Sequence, residues 1–276
     1  MRMGIPNILS IAGTDPTGGA GIQADLKSFA AHGGYGMCAV TALVAQNTQG
    51  VREIHAPPTS FLRAQLDSVS DDVTIHGAKT GMLGTVEIIE TVAAWWDETY
   101  SDNRPRPALV VDPVMVATSG DRLLDEEAEE SLKEFLHRAD LITPNVPELA
   151  ILAGEALASS AEELLAQAEK VADAHQAVIL AKGGHMNSDE VTDTLVFPAE
   201  SGTRPEAYSR SSQRIETRNT HGTGCSVSAA FATLRAQGAS WQEALATTKD
   251  WMQRALATSD QLDVGQGNGP INHFPD

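Results

Sequence analysis

Apolar runs of strand length alternate with helical patterns along this chain, and that alternation sets the strongest limit on its fold. The runs are Ile5–Ala12, Gly36–Ala45, Ile75–Lys79, Ala108–Val111, Leu141–Thr143, Ala177–Ala181 and Val191–Phe197. Helical patterns occupy Gly21–Ala31, Thr59–Ser70, Val86–Trp96, Glu126–Arg138, Ala161–Ala174, Cys225–Gln237 and Trp241–Ser259. Two helix starts carry capping boxes, Ser160 with Glu163 and Ser240 with Glu243, in which a hydroxyl and a later carboxylate satisfy free backbone N–H groups. Strands and helices in alternation predict a three-layer α/β/α sandwich with a mostly parallel central sheet. The length, 276 residues, fits one large domain of this type. Residues 199–212 are polar and read as a surface loop or hairpin connection, and the glycine-rich tail from Gly265 reads as irregular.

Charge excludes some partners. The formal net charge is −18 at pH 7, whereas nucleic acids and anionic membranes select basic surfaces. Cys38 and Cys225 are the only cysteines, with no metal-site spacing and no disulfide framework, which fits a reducing cytoplasm. No stretch approaches the roughly 18 apolar residues of a membrane span. The acidic excess does not exclude a phosphate substrate, because a local site overrides the global field.

The residues with chemical potential stand at strand ends. His221 to Cys225 reads His-Gly-Thr-Gly-Cys, and a helix of small residues follows at once. A glycine loop entering a helix offers free N–H groups at the positive end of the helix dipole, which makes an anion site of Gly222, Thr223 and Gly224. Cys225 falls in the first turn, where the dipole favours the thiolate and lowers a thiol pKa. It would act as a base toward a substrate hydroxyl or simply position it. An ordinary turn before a buried helix is the plain alternative.

Four further motifs add to this. "AGTDPTGGAG" leaves a strand at Gly13 without dinucleotide or P-loop spacing, and reads as a backbone-lined substrate pocket at the carboxyl end of a parallel strand. Asp112 ends an apolar strand, placed to orient Mg²⁺ or its waters, or to cap a turn. Asn145 and Glu148 share a helix face, as ligands to magnesium waters and phosphate or as an N-cap with a favourable acid. Lys182 leaves a strand beside two glycines, where a cation would neutralise a transferring phosphoryl group. In "GAKTGML", Met82 is favoured as a pocket wall over Lys79 as a catalyst.

Taken in order, "SIAGTDPTGGAGIQADLK", "TALVAQNTQGV", "KTGML", "DPVMVATSGD", "LITPNVPE", "KGGH", "NTHGTGCSVSAA" and "GPINHF" resemble the ribokinase-like superfamily. They are most similar to its bacterial hydroxymethylpyrimidine/phosphomethylpyrimidine kinases. The resemblance spans nearly the whole chain. It implies a ribokinase-like fold and MgATP-dependent phosphorylation of 4-amino-5-hydroxymethyl-2-methylpyrimidine, then of its monophosphate, in thiamine biosynthesis. It places Gln46 against the aminopyrimidine beside backbone at Ala20 and Val44, with Met82 and Val114 as walls. Asp112 and Glu148 serve the magnesium–phosphate region with Thr143 and Asn145 nearby, Lys182 contacts phosphates, and Cys225 faces the hydroxyl. A homodimer or larger assembly is implied as well. Sugar kinases of the superfamily carry Asp where this chain has Cys225, which speaks against a sugar. Pyridoxal kinase is the nearest rival reading, and a non-catalytic pyrimidine-binding module is a more distant one.

Overall fold

A computed structural model describes residues 4–101, 106–115, 123–125, 127–183 and 189–275. Eight strands form one sheet: β1 (Asn7–Ala12), β2 (Tyr35–Val40), β5 (Gly77–Thr80), β6 (Ala108–Val111), β7 (Leu141–Ile142), β8 (Val178–Lys182), β9 (Glu190–Val196) and β10 (Tyr208–Gln213), in the order β10-β9-β8-β7-β6-β5-β1-β2. Pairing is parallel from β2 through β8 and antiparallel at β8–β9 and β9–β10. The parallel run places the carboxyl ends of β1, β5, β6, β7 and β8 on one side of the molecule.

Helices cover both faces. On one lie α2 (Thr59–Ser70), α3 (Val86–Thr99), α4 (Ala128–Phe135), α5 (Val146–Ala153) and α6 (Ala161–His175). The other carries α1 (Gly21–Ala31), α7 (Thr223–Ala236) and α8 (Trp241–Ala257). The strands show the period of two that this demands. Leu9, Ile11, Leu109, Val111 and Ile179 join the core under the first layer, and Ile8, Val110, Val178 and Leu180 join the core under the second. Burial on both faces is why these strands read as continuous apolar runs.

Several expectations are corrected. Gly36–Ala45 is not one strand: β2 ends at Val40, and Leu43–Asn47 (β3) pairs with Gly50–His55 (β4) as a separate two-stranded sheet, with a bulge between Ala45 and Gln46. Thr41 turns the chain out of the large sheet, its N–H donating to Ala12 O and its hydroxyl to Met82 O. Within the stretch expected as a loop or hairpin connection, β10 is a regular edge strand whose polar composition suits its exposed face, where Ser209 and Ser211 pair with Thr194 and Thr192. Helix α4 is described only from Ala128, and Glu126 lies outside the described residues. The box at Ser240–Glu243 is complete, but at Ser160 it is half-formed, because Glu163 accepts from Ser159 instead. Beyond α8 the tail is irregular apart from a short helical turn at Ser259–Gln261 and a single bridge between His221 and Pro270.

Candidate active site

The strand ends and the start of α7 enclose one cavity of about 660 Å³. Gly13, Ala20, Val44, Gln46, Met82 and Val114 line one end of it. Asp112, Asn145, Glu148 and Lys182 line its middle, together with Gly222, Thr223, Gly224 and Cys225. Every predicted site residue except Thr143 therefore reaches one wall or another. Thr143 is fully buried behind the wall and donates its hydroxyl to Asp112 Oδ1 at 3.0 Å, so it supports the acid and does not face a ligand.

The hairpin β3–β4 brings Gln46 over the first end. Thr14 fixes it there, accepting from Gln46 Nε2 at 3.3 Å through its carbonyl and from Val44 N–H at 3.0 Å through its hydroxyl. At the opposite side α7 begins at Thr223, with Gly222 as its N-cap at φ +78°. No cap side chain satisfies the first N–H groups of this helix, although Thr223 N–H donates to Thr220 O at 3.3 Å; N–H groups left free at a helix start favour an anion.

Charge gathers beside that helix start. Lys182 Nζ lies 3.3 Å from Asp112 Oδ1. A Cβ placed on Gly224 would sit 3.3 Å from Lys182 Nζ and 3.4 Å from Asp112 Oδ2, so backbone, cation and acid converge on one point. Burial works against the Lys182 charge, but the Asp112 and Glu148 carboxylates outweigh it and hold the ammonium above its usual range. Glu148 is buried, and that pushes its carboxyl up to about 7, against the pull of Lys182 and with a push from Asp112. Glu148 and Asn145 also form a complete capping box, Asn145 Oδ1 accepting from Glu148 N–H and Glu148 Oε2 from Asn145 N–H. The pair thus caps α5 and lines the cavity at once.

Cys225 departs from expectation in its proton affinity. Burial raises its thiol to about 11; Lys79 and a hydrogen bond from Gly21 N–H pull down, while Asp25 and Asp112 push up. The helix start does not make a thiolate here. Lys79 itself is wholly buried on β5, bonded at 2.9 Å to both oxygens of Asp25, while Met82 lines the cavity.

Sequence reasoning missed the far end of the cavity. Helix α8 presents Leu245, Lys249, Met252 and Leu256 to it, and Gln213 at the end of β10 lines it together with Arg214 and Ile215 just beyond. Lys249 is bonded to Asp193 of β9 at 2.6 Å. The spacing of 4, 3 and 4 residues along α8 is the only signal in the sequence, and it is indistinguishable from an ordinary buried stripe.

A mostly parallel sheet between two helix layers, with a glycine-led helix start and an acid–lysine pair at its strand ends, fits the ribokinase-like class. The sequence profile of the family described as phosphomethylpyrimidine kinase matches residues 15–272. The chain belongs to that family. It is 45% identical to the hydroxymethylpyrimidine/phosphomethylpyrimidine kinase of Salmonella typhimurium, over 97% of both chains. It is 49% identical to the thiamine biosynthesis multifunctional protein ThiED of Corynebacterium glutamicum over 97% of its own length, and spans about a third (34%) of that relative. Among solved structures, a Bacillus subtilis pyridoxal kinase in complex with ADP superposes with a TM-score of 0.83 at 33% identity, covering 99% of this chain and 98% of the other. A phosphomethylpyrimidine kinase from Clostridium difficile gives 0.76 at 32% identity, covering 91% and 99%. Among the described residues, no helix is long and apolar enough to cross a membrane.

Proposed function

We propose that this chain uses MgATP to phosphorylate 4-amino-5-hydroxymethyl-2-methylpyrimidine, and then phosphorylates the monophosphate to the diphosphate. The carrying observation is one cavity that joins a fixed side-chain amide, Gln46, to an uncapped helix start, Gly222 to Cys225. An amide offers a donor and an acceptor, which complement the edge of an aminopyrimidine. The hydroxymethyl group then points toward α7. The donor nucleotide occupies the end walled by α8 and by Gln213 to Ile215, and its terminal phosphate meets the α7 N–H groups and Lys182.

Phosphoryl transfer needs alignment and charge stabilisation more than covalent chemistry. The N–H groups of α7 and the Lys182 ammonium supply the charge. Asp112 and Glu148 are the residues that would hold magnesium. Two buried carboxylates beside Asn145 suit an ion that keeps its waters, and among the described residues no cluster of three His, Cys, Asp or Glu forms a closed cage. Bound there, the ion neutralises charge on the phosphates. Cys225 rests as a thiol and is therefore not a base in this state; it orients the acceptor hydroxyl by hydrogen bonding, and the hydroxyl proton leaves late, with the new P–O bond, to a phosphate oxygen of the incoming group.

Product analysis of a reaction with ATP and the free pyrimidine alcohol tests this. Monophosphate followed by diphosphate is the expected result, and absence of both from folded protein overturns the proposal. Pyridoxal is a second acceptor to compare, because pyridoxal kinases superpose with TM-scores of 0.83 to 0.85. A kcat/KM for pyridoxal above that for the pyrimidine would reverse the assignment. The chain is proposed to work in the cytoplasm as one domain and as a homodimer or larger assembly, since Leu43 and Ile54 expose apolar surface on the hairpin. Light scattering in solution reads that state directly.

A further inference from the structure

Two glycine loops meet in the cavity, and one hydrogen bond ties them together. Asp15 belongs to the loop after β1 and is fully buried. Its Oδ1 accepts from Thr17 N–H at 2.9 Å and from the Thr17 hydroxyl at 2.8 Å. Its Oδ2 accepts from Gly19 N–H at 3.0 Å, from Ala20 N–H at 2.8 Å and from His221 Nε2 at 2.8 Å. The carboxylate therefore shapes the loop that carries Ala20 and reaches across to the residue before the α7 N-cap. The loops are in contact as well as bonded: a Cβ on Gly222 would fall 1.8 Å from Gly19 O, at a φ of +78° that only glycine adopts without strain. Asp15 also follows Thr14, the residue that holds Gln46.

Five donors on one carboxylate hold Asp15 ionised. Burial opposes this, yet the hydrogen bonds from His221 and Thr17 outweigh it and bring the pKa down to about 2. An ionised Asp15 only accepts, so the proton of the imidazole is on Nε2. On its other side His221 is fixed by its backbone, whose N–H donates to Gly269 O at 3.0 Å.

We propose that Asp15 and His221 are positioning residues that set the distance between the acceptor end of the pocket and the phosphate site. This rests on the kinase reading above. Each half-site is complete without the contact: Gln46 is held by Thr14, and the α7 N–H groups belong to the helix. What the contact adds is register between them. Loss of register by about 1 Å costs up to roughly 100-fold in rate while leaving each substrate bound.

Two polar substitutions discriminate. The amide nitrogen of Gln reaches the place of Nε2, whereas that of Asn reaches only the place of Nδ1. His221→Gln is expected to keep kcat within about fivefold and to form one ADP per phosphorylated product. His221→Asn is expected to lower kcat by roughly 30- to 100-fold with the KM of ATP and of the acceptor nearly unchanged. In that variant water competes for the misaligned phosphoryl group, so ADP is formed in excess over phosphorylated acceptor. A merely structural contact would lower the melting temperature without changing that ratio. Equal behaviour of the two variants, or coupled turnover in His221→Asn, overturns the proposal. Wild-type protein that fails to phosphorylate the acceptor overturns the functional reading instead. Independently of any variant, ¹⁵N-detected spectra of the wild-type protein must show the Nε2–H tautomer for His221 at neutral pH; the Nδ1–H tautomer overturns the staple.

Discussion

At Cys225 two effects oppose each other. A helix N-terminus stabilises a thiolate within its first turn by a fraction of a kcal/mol to about 2 kcal/mol. Removing the sulfur from water raises the thiol from 9.0 to about 11, which corresponds to roughly 3 kcal/mol in the other direction. Burial wins, and the resting residue is a thiol. Iodoacetamide should therefore alkylate Cys225 in unliganded protein more slowly than free cysteine at pH 8, with a rate that climbs between pH 9 and 11, read by peptide mass on a Cys38→Ala background. A plateau reached below pH 8 would show that the dipole prevails. Cys225→Ala removes the group that orients the acceptor hydroxyl and is expected to lower kcat by up to roughly 100-fold with little change in acceptor KM; near-normal kcat would remove the residue from the chemistry. The position of this cysteine was legible in the sequence because the glycine loop and helix are contiguous. Its proton affinity was not, because Lys79, Asp25 and Asp112, which set it together with burial, come from β5, α1 and the end of β6, far away in sequence.

Among the elements, the hairpin β3–β4 was the hardest to foresee. Its first strand continues the apolar run of β2, and only the turn at Thr41 and Ala42 separates them. Its second strand, Gly50–His55, is mostly exposed and lacks a buried alternating face, so the sequence carries no period-2 signal there. The tail supplies what the hairpin lacks. Gly267 N–H donates to Thr48 Oγ1 at 3.1 Å, Asn268 N–H donates to Thr48 O at 3.0 Å, and two residues on, Pro270 bridges to His221. The strap thus fastens the turn that follows Gln46 to the edge of the phosphate site. A Cβ at Gly267 would stand 1.9 Å from Thr48 O. Gly267→Val should lift the hairpin and raise the KM of the pyrimidine by about tenfold, the equivalent of roughly 1.4 kcal/mol and within the cost of overpacking, while the KM of ATP stays put. An unchanged pyrimidine KM would mean that the hairpin stands without the strap. Two further elements were less legible for local reasons: α5, foreseen only as the start that Asn145 caps, is a short helix with Pro147 in its first turn, and β10 is polar on an exposed edge. The strand ends were legible because parallel strands buried on both faces put their chemistry where the apolar run stops.

For the whole molecule, proton uptake on unfolding couples the core to pH. His175 packs against His137 at the end of α6, and His273 lies behind the start of α7 with its Nε2 2.9 Å from Ser226 Oγ. Burial lowers each from 6.5 to about 4, with help from His137 in one case and Lys27 in the other. In the unfolded chain both imidazoles take up protons near 6.5, while in the folded chain they stay neutral down to about 4. Unfolding then binds protons between these values, so stability is full above pH 6.5 and falls as the pH drops toward 4. At 1.36 kcal/mol per unit, each histidine contributes an upper figure of roughly 3 kcal/mol across that window. Asp15 acts lower down: its carboxyl, at about 2 in the fold against 3.8 for the free side chain, contributes stability that is lost only as the pH falls from about 4 to 2. The two windows are separable by experiment. Denaturant midpoints measured from pH 7.5 to 4.5 should decline in the wild-type protein, and the decline should flatten in a His175→Gln, His273→Gln double variant, whose amides do not titrate. If the double variant loses stability on acidification as steeply as the parent, the buried histidines are not the acid-sensitive groups, and the loss belongs to the carboxylates of a chain whose net charge is −18 at neutral pH.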